Sequence, residues 1–188
     1  MKKISLLILL IIIIANFSCE RDDICAESTA TTPQLIVRFF NVAAQESTKT
    51  VTDLRVFGIN DLGESIVIPE LDIVDTDSIA LPLNTSANET KFLLHRNYEV
   101  NDNDTPDDDT DDFVTGNPDI ITVSYTTEQV YVSRACGFKT IFNDLVFSIE
   151  QEADDPDDDL GNWLQQFIIT TTNNTVEDET AAHITIFH

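Results

Sequence analysis

From residue 34 onward, apolar and polar positions alternate at a period of two, in short runs rich in Val, Ile, Phe and Thr. Successive side chains of an extended chain point to opposite faces, so this is the pattern of strands with one face buried. Leu35, Val37 and Phe39 share one side of a first strand, and Arg38 takes the other. A second strand is expected over 53–59, with Leu54 and Val56 opposed to Arg55 and Phe57. Asn60-Asp61-Leu62-Gly63 supplies a turn, and 65–68 returns from it. Within 78–83, Ile79, Leu81 and Leu83 fall on one face, and Pro82 marks an edge or a strand end. Residues 91–96 form the next strand.

The second half reads as two hairpins. Strands 120–125 and 129–135 are expected to meet across Thr126-Thr127-Glu128, and strands 139–142 and 145–149 across Asn143-Asp144. Runs at 163–170 and 183–187 complete the set, with room for one helical turn at 163–166. Eight or nine short strands separated by turns give an all-β chain, an antiparallel β-sandwich of the Ig-like, Greek-key kind. A small β-barrel is the alternative.

Residues 1–33 break the alternation. Met1, Lys2 and Lys3 precede an apolar run from 4 to 15, interrupted only by Ser5, and Asn16-Phe17-Ser18-Cys19 follows. A basic start, an apolar stretch and a small residue before a cleavage point make a signal peptide of residues 1–18. The apolar run falls short of the roughly 20 residues of a spanning helix. Ser18-Cys19 resembles a lipoprotein signal, in which the Cys is acylated on sulfur and freed at its amine by cleavage; Asn16 stands where Leu is usual. The alternative is a plain secretory signal with an incidental Cys. Acyl chains at ~0.8 kcal/mol per buried CH₂ hold a protein stably on a membrane. The expected organisation is a signal peptide over 1–18, a lipidated tether over 19–33 and one β-domain over 34–188, with acidic loops at 101–118 and 152–162.

Glu20-Arg21-Asp22-Asp23, just after Cys19, resembles the surface-export signals of Bacteroidota lipoproteins. The expected location is therefore the outer membrane, lipid-anchored, on its periplasmic face or at the cell surface. An ordinary acidic tether is the competing reading.

Charge narrows the partners. The full chain carries 10 basic and 34 acidic residues, a net charge of −24, and loss of residues 1–18 removes Lys2 and Lys3 but no acid. Nucleic acid and bare anionic lipid are poor partners for such a surface. Thirteen of the 34 acids lie in two tracts, 102–112 and 152–159, so composition elsewhere is that of an ordinary globular domain.

Of the three cysteines, lipidation of Cys19 leaves Cys25 and Cys136 in a chain exported to a disulfide-permissive compartment. They are expected to be bridged, with two separate buried thiols as the alternative. Closing a loop of ~110 residues adds on the order of 4–5 kcal/mol in the chain-entropy model. The six Cα steps from Cys19 to Cys25 reach at most ~20 Å, which keeps the domain close to its lipid.

Cys19-Glu20-Arg21-Asp22-Asp23-Ile24-Cys25, Thr31-Thr32-Pro33, the stretch 131–140 from Tyr131 through Cys136 to Thr140, and the closing strand together span nearly the whole mature chain. On these stretches the chain resembles a family of Bacteroidota lipoproteins known by the label domain of unknown function 6452. The resemblance implies an envelope location and no established activity.

Candidate chemistry is sparse. Asp102, Asp104, Asp107, Asp108, Asp109, Asp111 and Asp112 gather the hard oxygen ligands that Ca²⁺ requires. An EF-hand frame from Asp102 finds Asp107 where glycine belongs, and a frame from Asp107 finds Asp112. A solvated acidic loop is the competing reading for this tract and for 152–159. The histidines are His95, His183 and His188. His183 and His188 sit five apart on a strand, on opposite faces, and His95 is expected on a strand-end rim. Gly-x-Ser-x-Gly, His-Glu-x-x-His and phosphate-loop motifs are missing, so catalysis is not expected and no cofactor is implied. Trp163, Tyr131 and Phe138 are expected in the core rather than lining a sugar or peptide groove. Arg134 is expected to pair with an acid. Asp77-Ser78-Ile79 resembles a short bacterial O-glycosylation site. The leading expectation is a non-catalytic envelope lipoprotein, bound to membrane through its lipid and open to an envelope protein partner. The alternative is a binder of Ca²⁺ through the Asp-rich loops, or of a glycan or peptide on a sheet face.

Overall fold

The computed structural model describes residues 24–26, 29, 31–105, 107, 109–150 and 161–188. The signal peptide, Cys19 and the second acidic tract lie outside the described residues. Two sheets face each other across one core, and neither closes into a barrel.

The first sheet is centred on β1 (Leu35–Asn41). The inward alternation holds: Leu35, Val37 and Phe39 are fully buried while Arg38 is exposed. β1 takes β6 (Ser78–Leu81) along its first half and β2 (Ala44–Thr48) at its end, both antiparallel. On its other side it pairs in parallel with β11 (Ile184–Phe187), which in turn pairs with β10 (Gln166–Ile169). The expected sandwich is thus present, and its first sheet is mixed, with this one parallel pair among antiparallel ones. Parallel neighbours need a long crossover, and here the crossover from first strand to last is the rest of the domain. Residues 163–165 form a bend and irregular chain rather than a helical turn, and β10 begins at Gln166.

The second sheet runs β4 (Ser65–Val67), β3 (Val51–Ile59), β7 (Glu89–Asn101), β8 (Phe113–Ser133) and β9 (Gly137–Ile149), with β5 (Val74–Thr76) beside the start of β3. The two expected hairpins are in fact one. β8 continues through Thr126-Thr127-Glu128 and β9 through Asn143-Asp144, pairing from Ile121↔Ile149 to Ser133↔Gly137. The two polar stretches face each other across a bulge, where the register slips between Ser124 and Thr126 and Asp144 adopts φ 56. A bulge takes one extra residue, and residues that signal turns also suit it. The expected loop over 101–118 is likewise shorter, because β8 begins at Phe113 and pairs back onto β7.

A second bulge, on β7, lies opposite Gly116. Arg96 pairs with Asn117 and Glu99 with Thr115, so Asn97 and Tyr98 share one opposing residue. Gly116 has φ +112, and a Cβ there would lie 2.5 Å from the Asn97 carbonyl oxygen and 2.8 Å from His95 Nε2. Only glycine fits.

The core joins Leu35, Val37, Ile184 and Ile186 of one sheet to Val56, Leu94, Ile121 and Phe142 of the other. Each such side chain contributes about 1.5–3 kcal/mol on burial. Trp163 is buried as expected, beside Phe39, and its indole N–H donates to the Leu94 carbonyl at 3.3 Å.

Candidate functional site

Cys25 and Cys136 are disulfide-bonded, with Cα atoms 4.9 Å apart and a sequence separation of 111. Cys136 lies in the turn joining β8 to β9, so the bridge fastens the first described residues to the tip of the longest hairpin. From the bridge the chain passes along β9 toward β1. Thr32 Oγ1 accepts the Thr140 N–H at 2.9 Å, and Val176 pairs with Phe142 further along the same edge. These contacts cover backbone groups that an open edge strand would leave unpaired.

The tip outruns the sandwich. β7 reaches only Glu89↔Ser124, so beyond that point β8 and β9 continue as a two-stranded arm. Along one face of the arm the cross-strand pairs are Thr127↔Phe142, Gln129↔Thr140 and Tyr131↔Phe138. Phe142 is fully buried and Thr140, which accepts a hydrogen bond from Gln129 Nε2 at 2.7 Å, is buried as well. Tyr131 and Phe138 are 60% and 63% exposed, in edge-to-face contact with ring centroids 5.5 Å apart. The core-facing stripe thus continues past the end of the opposing sheet, and the core expectation fails for both rings. Ile24, 84% exposed, and Arg134 join Tyr131 around a hollow of about 460 Å³ beside the bridge. Among the described residues Arg134 forms no ion pair, contrary to expectation.

The acidic tract lies at the other end of β8. The strand's 21 residues, at about 3.3 Å each, trace a path of roughly 65 Å between the two. The described tract is organised by internal hydrogen bonds. Asp111 accepts from Asn103 Nδ2 at 3.0 Å and Thr105 Oγ1 at 2.8 Å, and these bonds hold its carboxyl below the usual range. Among the described residues, no three His, Cys, Asp or Glu side chains gather as a metal site.

All three histidines are buried. His95 is 8% exposed within β7, packed edge-on against Tyr98 at 5.0 Å, which corrects the rim expectation. His183 Nδ1 accepts the Ile36 N–H at 2.9 Å. His188 stands edge-on to Trp163 at 5.4 Å and to Phe39 at 5.9 Å, with Nε2 3.2 Å from the Lys49 carbonyl oxygen. Burial lowers the pKa of each. These rings are committed to packing and backbone contacts, and His183 and His188 share no open site. Ser78 of the glycosylation-like triplet is half-buried in β6, its hydroxyl donating to the Val37 carbonyl at 3.3 Å.

A family model described as "Family of unknown function (DUF6452)" matches residues 53–188. The chain belongs to the DUF6452 family. The DUF6452 match runs from β3 to β11 and includes Cys136, Tyr131 and Phe138, while β1 and Cys25 precede it. No curated protein and no solved structure matches the chain. Among the described residues, no helix is long and apolar enough to cross a membrane.

Proposed function

We propose that this protein is a non-catalytic lipoprotein of the bacterial cell envelope, a β-sandwich held at the outer membrane by acyl chains on Cys19 and acting as a structural or interaction module. The observation that carries this reading is the placement of Ser18-Cys19 after a basic start and a short apolar run, with only five residues between Cys19 and a cysteine bridged to the domain. A flexible leash would let the domain roam; this one ends in a covalent staple to the β8–β9 tip. The acidic run 20–23, similar to Bacteroidota surface-export signals, supports the outer membrane as destination. The commitment of all three histidines to packing supports a non-catalytic role.

Metabolic labelling of cells with a tagged fatty acid tests the reading. The full-length chain is expected to take up the label and to fractionate with outer membrane, and Cys19→Ala to lose both. Unlabelled wild-type protein in the periplasmic fraction would refute the anchor.

A further inference from the structure

We propose that the β8–β9 tip is a second membrane contact: Tyr131, Phe138 and Ile24 seat in the headgroup layer beside the lipid anchor and fix the domain upright, with its acidic end outward. This inference rests on lipidation of Cys19.

Three observations converge on a lipid surface as the occupant. The first is reach. Six Cα steps join Cys19 to Cys25, at most ~20 Å, and the bridge puts Cys136 at the end of that span. Phe138 is two residues beyond Cys136, so the exposed rings cannot stand far from the bilayer once the lipid is inserted. The second is chemistry. Two exposed aromatic rings in contact, with an exposed Ile nearby, are the side chains that settle at a membrane interface, where a Tyr keeps its hydroxyl wet and its ring in the apolar layer. The third is charge. Residues 131–139 contain Arg134 and Lys139 and no acid in a chain of net charge −24, and the first acidic tract lies at the opposite end of β8. Seating residues 131–139 in the interface takes no carboxylate of that segment out of water, whereas seating the tract would desolvate several. Glu20, Asp22 and Asp23 in the tether make the contact apolar rather than electrostatic, so a zwitterionic bilayer suffices.

The test uses the lipidated protein reconstituted in phosphatidylcholine vesicles whose acyl chains carry bromine, a short-range quencher of indole emission. Trp163, the only native tryptophan, is buried and serves as an internal reference. Phe138→Trp and Val114→Trp each add one indole at an exposed site, at the tip and at the acidic end respectively. The indole at 138 is expected to lose about half its emission in brominated vesicles, as befits a ring seated roughly 5–10 Å into the interface. The indole at 114 is expected to match its value in unbrominated lipid. Protein that carries acyl chains and floats with vesicles while both indoles stay unquenched overturns the tip contact and leaves the anchor standing. Protein whose mass lacks acyl chains overturns the anchor, and this inference with it. A blue-shifted, unquenched indole at 138 in protein that sediments as a dimer assigns the patch to a second copy of the chain and also overturns the proposal.

Discussion

The Asp119 carboxylate, 1% exposed on β8, accepts the Leu164 N–H at 2.7 Å through one oxygen and Asn162 Nδ2 at 3.0 Å through the other. Asn162 also donates to the Glu150 carbonyl at 3.0 Å. A buried carboxylate is costly unless its oxygens are satisfied, and these bonds do so while fixing the segment that inserts Trp163 between the sheets. The chain thereby returns from the second sheet to the first.

Asp119→Ala leaves the Leu164 N–H without this partner and loosens the seat of Trp163. A loss of about 2–3 kcal/mol is expected, measured as a lower urea midpoint at unchanged slope. Asp119→Asn keeps one acceptor and is expected to lose less. An unchanged midpoint in the alanine variant would show that Leu164 finds water at no cost.

The bridge spans 111 residues, so most of its effect falls on the unfolded chain. The Cys25→Ser, Cys136→Ser double variant is expected to fold to the same β spectrum with a stability lower by roughly 4 kcal/mol. Equal stability of the two proteins would mean that the staple orients the N-terminal segment without contributing to folding.

Gly116→Ala forces a methyl group against two carbonyl oxygens and the His95 ring, at a φ that L residues rarely adopt. The expected penalty is about 3 kcal/mol or more. Gly58→Ala, where a Cβ would meet nothing within 4 Å, is the control and is expected near neutral. Comparable thermal midpoints for the two variants would contradict the crowding at 116.

Acid is expected to weaken the fold through its buried histidines. Desolvation lowers the folded pKa of His95, His183 and His188 below the ordinary 6.5. The unfolded chain therefore takes up protons first, and the stability present above pH 6.5 is lost as pH falls from there through the folded values. His183 sharpens the effect, because protonating Nδ1 removes the acceptor for the Ile36 N–H, even though Asp178 and Glu179 favour the charged ring. Asp111 and Asp178, held low by hydrogen bonds, add loss of the same sign at lower pH. A thermal midpoint that declines between pH 7 and 5 checks this, and His183→Gln is expected to flatten part of the decline.

Much of the sandwich was legible because burial here follows strict alternation. β1 is readable from Leu35, Val37 and Phe39 alone, and the cysteine pairing followed from compartment and count. β2 was not readable: Ala44–Thr48 carries no large apolar residue and is a strand only because β1 offers it an edge. Thr126-Thr127-Glu128 and Asn143-Asp144 misled because a bulge and a turn favour the same residues. Tyr131 and Phe138 misled for a different reason. Their parity on the arm is the core's parity, but the opposing sheet ends before it reaches them, and sheet lengths are not written in local alternation. His95 was misplaced because β7 runs on to Asn101 around its bulge.

The central claim is a lipid on Cys19 set a few residues from a staple to the domain, and non-reducing peptide mapping of protein extracted from membranes tests it most directly. Trypsin is expected to release a peptide of residues 19–21 carrying acyl chains, and a second species joining 22–38 to 135–139 through Cys25 and Cys136. A tryptic peptide of residues 4–21 with an unmodified Cys19, or one beginning beyond Cys19 without lipid, would contradict the claim.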